Sequence, residues 1–400
     1  MHKISRLYLT VPIVLALAAP ASAQARAGFA NSRGGAREPA RDAVREAARN
    51  APEVRGQTPD AASLPGPVFA RGGRPFFSGV FLGDAESKME VIDVSIRNFT
   101  AMVGKRPALV KTFHAFNSDF SARGWAGRLI RKVQREGSTN YIALAPAWTS
   151  EVPTDSVLAA ILAGSADDEL RKIARDLRGF GALVLIEPGW EMNGRWGYRW
   201  QGVDNGLAAS APAKYADAWR RLVDLFAREG ATNVRWVFNP NTGNPVLGGA
   251  PGPAHWNWWG RYYPGDDYVD YVGFHGFNGP SVWFKRWMPF AELFSGPEAD
   301  FALPEMVRRH PNKPILMGEL AAEKDPVELR RGGWIRDAYR QMIDHPKIVG
   351  GIWFHMQKET DWRVNTLPQV LQAYQDVMRD PRVTDTFVDV SPRLPRHGRR

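Results

Sequence analysis

Glu191 and Glu319 each stand just beyond a short apolar run, the first after residues 183–186 and the second after residues 314–318. Two carboxyl groups are what cleavage of a glycosidic bond requires: one protonates the leaving oxygen while the other attacks the sugar or activates water. The two acids are 128 positions apart in sequence, so any joint chemistry depends on a fold that carries both strand ends to one place.

Eight apolar, strand-like runs supply such a fold: 77–82, 108–113, 141–145, 182–186, 234–238, 269–274, 315–318 and 349–354. Most are separated by stretches with helical periodicity, at 88–102, 126–135, 168–177, 215–228, 333–343 and 367–378. In 215–228, Tyr215, Trp219, Leu222, Val223 and Phe226 recur on one face beside Arg220, Arg221 and Asp224. Strand–helix alternation implies parallel pairing, and eight such units closing on themselves make a (β/α)8 TIM barrel, here over residues 76–380. An open doubly wound sheet would want a glycine-rich phosphate loop after an early strand, and the sequence has no G-x-G-x-x-G or G-x-x-x-x-G-K motif there. In a parallel barrel every strand's C-terminal end meets at one face. Glu191 after the fourth strand and Glu319 after the seventh would share that mouth.

Outside the barrel the chain changes character. Residues 1–23 have a basic start (Lys3, Arg6), an apolar stretch and Ala21-Ser22-Ala23, the layout of a secretory signal peptide, and its apolar part is shorter than the ~20 residues of a membrane helix. We therefore expect an exported protein, periplasmic or secreted, with no membrane span after cleavage. Residues 24–75 are rich in Ala, Arg, Gly and Pro and read as a disordered linker; residues 381–400 read as a loose basic tail. The tails also account for the charge. Of the net +10, residues 1–75 hold +6 (11 Lys/Arg against 5 Asp/Glu) and residues 381–400 hold +3, leaving +1 for the barrel. A nearly neutral folded region argues against a nucleic-acid partner. Cysteine is absent, so there are no disulfides to expect, and the oligomeric expectation is a monomer.

Four segments together resemble glycoside hydrolase family 26, a family of many β-mannanases and some β-glucanases and β-xylanases. They are Glu187-Pro188-Gly189-Trp190-Glu191-Met192-Asn193-Gly194-Arg195-Trp196; Tyr262-Tyr263-Pro264-Gly265-Asp266-Asp267-Tyr268-Val269-Asp270-Tyr271-Val272-Gly273; Lys313-Pro314-Ile315-Leu316-Met317-Gly318-Glu319; and Ile352-Trp353-Phe354 with Lys358-Glu359-Thr360-Asp361-Trp362-Arg363. The resemblance implies retaining double displacement on a β-linked polysaccharide, mannan first, with Glu191 as acid/base and Glu319 as nucleophile and with no cofactor. It also implies Trp353 as the aromatic floor under the reacting sugar and Trp196 and Trp148 as further platforms, with Trp190 and Asn193 lining the site. Stacking suits this task because a pyranose presents an apolar C–H face while its hydroxyls stay free for hydrogen bonds.

The chain also departs from that pattern. Trp190 and Glu187 stand where mannanases commonly place His and Arg, and His275-Gly276-Phe277 replaces an Asp-Gly-Tyr whose tyrosine steadies the nucleophile. Phe277 has no hydroxyl, so we expect another donor, His275, to orient Glu319. Glu187 reads as a structural ion-pair member or as a group that raises the acid's pKa, and His114 and His275 as substrate-binding donors or as satisfied core histidines. No H-E-x-x-H motif, cysteine or close His pair suggests a metal, and no G-x-S-x-G elbow a serine nucleophile. Two further readings use the same residues: a β-glucanase or envelope-polysaccharide hydrolase, and a non-catalytic carbohydrate-binding envelope protein that keeps the barrel and its aromatic cleft.

Overall fold

A computed structural model describes residues 73–147, 157–205, 210–242, 253, 255–284, 286–324, 329–392 and 394. The expected signal segment, nearly all of the expected linker, and Trp148 lie outside them. Ten strands lie among the described residues: β1 Phe76–Phe81, β2 Leu109–Ala115, β3 Thr139–Ala145, β4 Val184–Pro188, β5 Val234–Phe238, β6 Tyr271–Val272, β7 His275–Asn278, β8 Ile315–Ala322, β9 Ile348–Phe354 and β10 Val383–Thr384. The helices are α1 Ile92–Val103, α2 Trp125–Arg135, α3 Val157–Leu162, α4 Asp167–Phe180, α5 Ala211–Arg228, α6 Phe290–Ser295, α7 Ala302–Arg309, α8 Leu329–Asp344 and α9 Pro368–Met378. Among these residues no helix is long and apolar enough to cross a membrane.

All strand pairs are parallel, and the order β1-β2-β3-β4-β5-β6-β8-β9 returns to β1, closing a (β/α)8 barrel. The sequence explains why. Strands such as Phe76–Phe81 and Ile348–Phe354 are buried along their whole length, which only a sheet covered on both faces tolerates. The helices carry one apolar face each. In α5, Tyr215, Trp219, Leu222, Leu225 and Phe226 are buried, and Pro212 sits in the first turn, where a missing N–H costs nothing.

Two elements differ from the sequence expectation. The sixth barrel strand is split: β6 ends at Val272, and β7 resumes at His275 beside β8. The break falls at Gly273, where a Cβ would meet the Leu316 carbonyl oxygen at 2.0 Å and Asn239 Oδ1 at 2.3 Å, so only glycine allows this approach. The step matters for the site because it sets His275 directly opposite Glu319. The stretch from Pro381, expected to lie loose, is instead docked: β10 pairs with the start of β1, Phe387 packs its ring 4.6 Å from Phe77, and Asp389 accepts a hydrogen bond from the Tyr271 hydroxyl at 2.8 Å and pairs with Arg235. Apolar Phe387 and Val383 within a basic segment account for this, since both become buried.

Candidate active site

Glu191 owes its position to a strained turn. β4 ends at Pro188, Gly189 follows with φ 55°, and Glu191 itself has φ 53°, a left-handed conformation that costs a non-glycine residue on the order of 1–2 kcal/mol. Its neighbours hold it there. The Glu191 N–H donates to the Asn239 carbonyl at 3.1 Å, while its own carbonyl accepts from Gln201 Nε2 at 2.8 Å and the Gly194 N–H at 2.9 Å. Trp190 anchors the same turn, its ring 5.0 Å from Phe113 and 4.7 Å from Trp200, whose indole N–H donates to the Trp190 carbonyl.

Glu319 projects from β8 and meets Glu191 across a cluster of buried charges. Lys111 Nζ, from β2, lies 2.6 Å from Glu187 Oε2, 2.8 Å from Glu319 Oε1 and 3.2 Å from the Gly318 carbonyl. His275, from β7, places Nε2 2.7 Å from Glu187 Oε1 and Nδ1 2.9 Å from Glu191 Oε1. The result is a continuous chain, Glu319–Lys111–Glu187–His275–Glu191. Lys111, Glu187 and His275 are almost completely buried, and burial that deep is tolerated only because each charge faces an opposite one.

The protonation states follow from that pairing. Burial pushes His275 down, and so does Lys111, but Glu187 and Glu319 outweigh them and raise it to about 9. Burial likewise opposes the Lys111 ammonium, and Glu187 and Glu319 again more than compensate, raising it. Burial works to raise Glu187, but Lys111 and His275 prevail and hold it below the ordinary carboxylate range. The cluster therefore contains a fixed ammonium, a fixed carboxylate and an imidazolium at neutral pH. Tyr141 accepts a hydrogen bond from Asn239 Nδ2 at 2.7 Å; burial, then Glu187, keeps its hydroxyl protonated. Tyr198, stacked on Trp200 with ring centroids 4.9 Å apart, is raised by burial and then by Glu191, Glu319 and Glu359, which sets it at the edge of the same site.

The other expected site residues divide. Glu191 and Glu319 come together as anticipated, each less than a tenth exposed. His275 joins them, but it serves Glu191 rather than Glu319, from whose Oε2 its Nδ1 is 3.8 Å away; Glu319 takes Lys111 instead. Trp353 does not face the cleft. It is fully buried toward the helices, with Tyr339 and Tyr374 at 6.4 and 5.7 Å, and its indole N–H donates to the Trp362 carbonyl. The neighbouring Phe354 takes the inner position, 5.0 Å from Phe81 and 5.4 Å from Phe277. His114 also points outward, bonded to Thr112 Oγ1 and stacked 5.1 Å from Trp125 of α2; burial lowers it to about 3. Side chains alternate along a strand, so once Lys111 and Phe113 face the barrel interior, Thr112 and His114 cannot. Asn193 is a loop tether, donating to the Asn241 and Asn257 carbonyls and accepting from the Asn241 N–H. Trp196 is half-buried, and its main-chain N–H is held by Gln201 Oε1 at 2.8 Å. The sequence reading missed Lys111. Its signal was present, since a lysine in the middle of an otherwise apolar strand must find a buried partner.

Glu191, His275 and Glu319 have the ligand types of a metal site, with ligand atoms within 4.8 Å of one another. The Lys111 ammonium already stands 2.8 Å from Glu319 and 3.2 Å from His275 Nε2. It occupies the cation's electrostatic role.

A family model described as glycosyl hydrolase family 26 matches residues 155–360. Endoglucanase H of Acetivibrio thermocellus is 32% identical over 287 residues, 71% of this chain and 29% of that protein. The mannan endo-1,4-β-mannosidase A and B of Caldalkalibacillus mannanilyticus is 29% identical over 106 residues, 26% of this chain and 18% of that protein. The chain thus spans less than a third of either curated relative. Among solved structures, Bacillus subtilis mannanase man26 superposes with a TM-score of 0.51 at 18% identity, covering 77% of this chain and 86% of that one. The catalytic domain of a Bacillus sp. JAMB-750 endo-β-1,4-mannanase does so at 0.54 and 16%, covering 78% and 87%. At these identities the superpositions speak for a common fold.

Proposed function

The chain belongs to glycosyl hydrolase family 26, and from that membership we propose that it is a retaining endo-acting glycoside hydrolase cleaving a β-linked polysaccharide of the mannan or glucan type. The observation that carries the mechanism is the spacing of the two acids: an oxygen of Glu191 and one of Glu319 lie within 4.8 Å. So close an approach of two carboxylate oxygens favours the ~5–5.5 Å carboxyl separation of retaining enzymes over the ~6.5–9.5 Å of inverting ones.

In the first step Glu319 Oε2 attacks the anomeric carbon, forming a glycosyl ester as the bond to the leaving oxygen breaks, and Glu191 gives its proton to that oxygen. In the second, Glu191 takes a proton from water as the water displaces Glu319, and the β-configuration returns. Lys111 supports this division of roles, because it holds Oε1 of Glu319 at 2.8 Å and leaves the other oxygen to attack.

Mannan is the first substrate to test. A β-glucan is the second, favoured by the match to Endoglucanase H, which covers far more of this chain than the mannosidase match does. Incubation with β-mannan and mixed-linkage β-glucan, followed by proton NMR of the newly released reducing ends, tests both. Early accumulation of the β-anomer is expected; the α-anomer, or binding with no product at high enzyme, would overturn the proposal. Export directed by residues 1–23 belongs to the same proposal and is checked by cell fractionation.

A further inference from the structure

We propose that His275 is a positioning residue that fixes the acidic proton of Glu191 on Oε2, and that Lys111 does the complementary work on Glu319, so that each catalytic carboxylate has one oxygen held and one oxygen working. The inference rests on the retaining reading above.

His275 Nδ1 lies 2.9 Å from Glu191 Oε1 and 3.8 Å from Glu319 Oε2; the first is a hydrogen bond and the second is beyond that range. His275 Nε2 faces Glu187 Oε1 at 2.7 Å and Lys111 Nζ at 3.2 Å. Glu187 and Glu319 favour the protonated ring, whose Nε2–H faces Glu187 and whose Nδ1–H faces Glu191. If Nε2 is bare it accepts from Lys111, and the neutral ring carries its proton on Nδ1. Both states present an N–H to Glu191 Oε1, which excludes the carboxyl proton from that oxygen and leaves it on Oε2. Lys111 holds Glu319 Oε1 as an ion pair at 2.8 Å, and it also pairs with Glu187 and donates to the Gly318 carbonyl.

This arrangement suits the charge movement of the reaction. As the ester forms, Glu319 loses its negative charge and Glu191 acquires one. Negative charge leaves the Lys111 end of the chain and appears at the His275 end, where a donor already stands. No proton has to travel through the cluster and no cation has to move, so reorganisation is small.

Two substitutions separate the two ring nitrogens. His275→Asn puts an amide N–H near the place of Nδ1 and keeps the bond to Glu191; His275→Gln puts one near the place of Nε2 and loses it. Each variant is assayed on 2,4-dinitrophenyl and phenyl β-mannobioside and β-cellobioside, since the dinitrophenyl group leaves without protonation and the phenyl group needs it. His275→Gln is expected to lose about 100-fold or more in kcat/KM on the phenyl substrates and less than about 10-fold on the dinitrophenyl ones, while His275→Asn stays within about 10-fold on both. Equal losses for the two variants, or a His275→Gln loss independent of leaving group, would overturn the proposal. Glu191→Ala is the control. If it shows no leaving-group dependence the retaining reading itself has failed, and if it does while His275→Gln does not, only the present inference has. Should either variant fail to fold, nitrogen-15 NMR of histidine-labelled wild-type protein decides: a slowly exchanging Nδ1–H on the buried His275 is expected, and a bare Nδ1 overturns the assignment.

Discussion

Lys111 Nζ and Glu319 Oε1 lie 2.8 Å apart across the barrel interior, joining β2 to β8 through a lysine that has no solvent contact. Removing one member of a buried pair leaves the other's charge uncompensated, at a cost of about 3–5 kcal/mol. Lys111→Met should therefore lower stability by that amount and abolish detectable turnover. Adding Glu187→Gln to it should recover part of the stability and none of the activity. Denaturant titration beside reducing-end assays checks both halves, and a stable, active Lys111→Met would remove the residue from the site.

Glu319→Ala should be inactive on every substrate. Glu191→Ala should retain most of its first-step rate on dinitrophenyl glycosides and lose about 10²–10⁴-fold on substrates with poor leaving groups. Azide should rescue Glu191→Ala with formation of a β-glycosyl azide, identified by mass spectrometry and NMR. An α-azide would contradict the assignment of Glu191 as acid/base.

Trp353 packs against Tyr339, Tyr374 and Trp334, away from the cleft. Trp353→Ala should accordingly cost about 3–5 kcal/mol of stability, whereas Trp353→Phe should leave KM unchanged at a temperature where the variant is folded. A raised KM with unaltered melting would return the ring to the sugar site.

His275 gives the protein a pH dependence of definite sign. Its folded value, about 9, lies above the ordinary 6.5 because Glu187 and Glu319 overcome burial and Lys111. The groups facing it are Lys111, Glu187, Glu191 and Glu319. The imidazolium's contribution is full below pH 6.5 and is lost as pH rises through about 9. It is on the order of 3 kcal/mol. Melting temperatures of wild type and His275→Asn should converge between about pH 6 and 10, the wild type falling more steeply; parallel curves would contradict it.

His114 and His355 act in the opposite direction. Burial lowers them to about 3 and about 4, with Arg363 also lowering His355, so the folded protein resists protonating them while the unfolded chain does not. Stability should fall as pH drops below about 6.5. His114→Phe, which keeps the stack on Trp125, should flatten that fall in acid-denaturation curves.

The barrel and the two acids were legible because each rests on a pattern the chain repeats: apolar runs, amphipathic stretches, and a carboxylate after two of the runs. Trp353 and His114 were misplaced for a physical reason. Strands of a parallel barrel are buried on both faces, so the polar–apolar alternation that would tell inside from outside is erased, and only a fixed neighbour such as Lys111 sets the parity. Lys111 was readable as an anomaly in an apolar strand, yet its partners, 76 to 208 positions away, appear only in three dimensions. The break between β6 and β7 was hidden as well, because Gly273 is demanded by a carbonyl of another strand rather than by its own neighbours.

The docking of residues 383–391 under β1 has a consequence for biosynthesis. β1 is the earliest of the described strands to be synthesised, but both of its late partners, β9 and β10, are encoded hundreds of residues downstream. A growing chain can assemble successive strand–helix units, yet β1 keeps an open edge until residues 348–384 have been made. Phe77 then awaits Phe387. Any message shortened before codon 387 would release a protein whose barrel floor still exposes that ring, a natural handle for the cell's quality control.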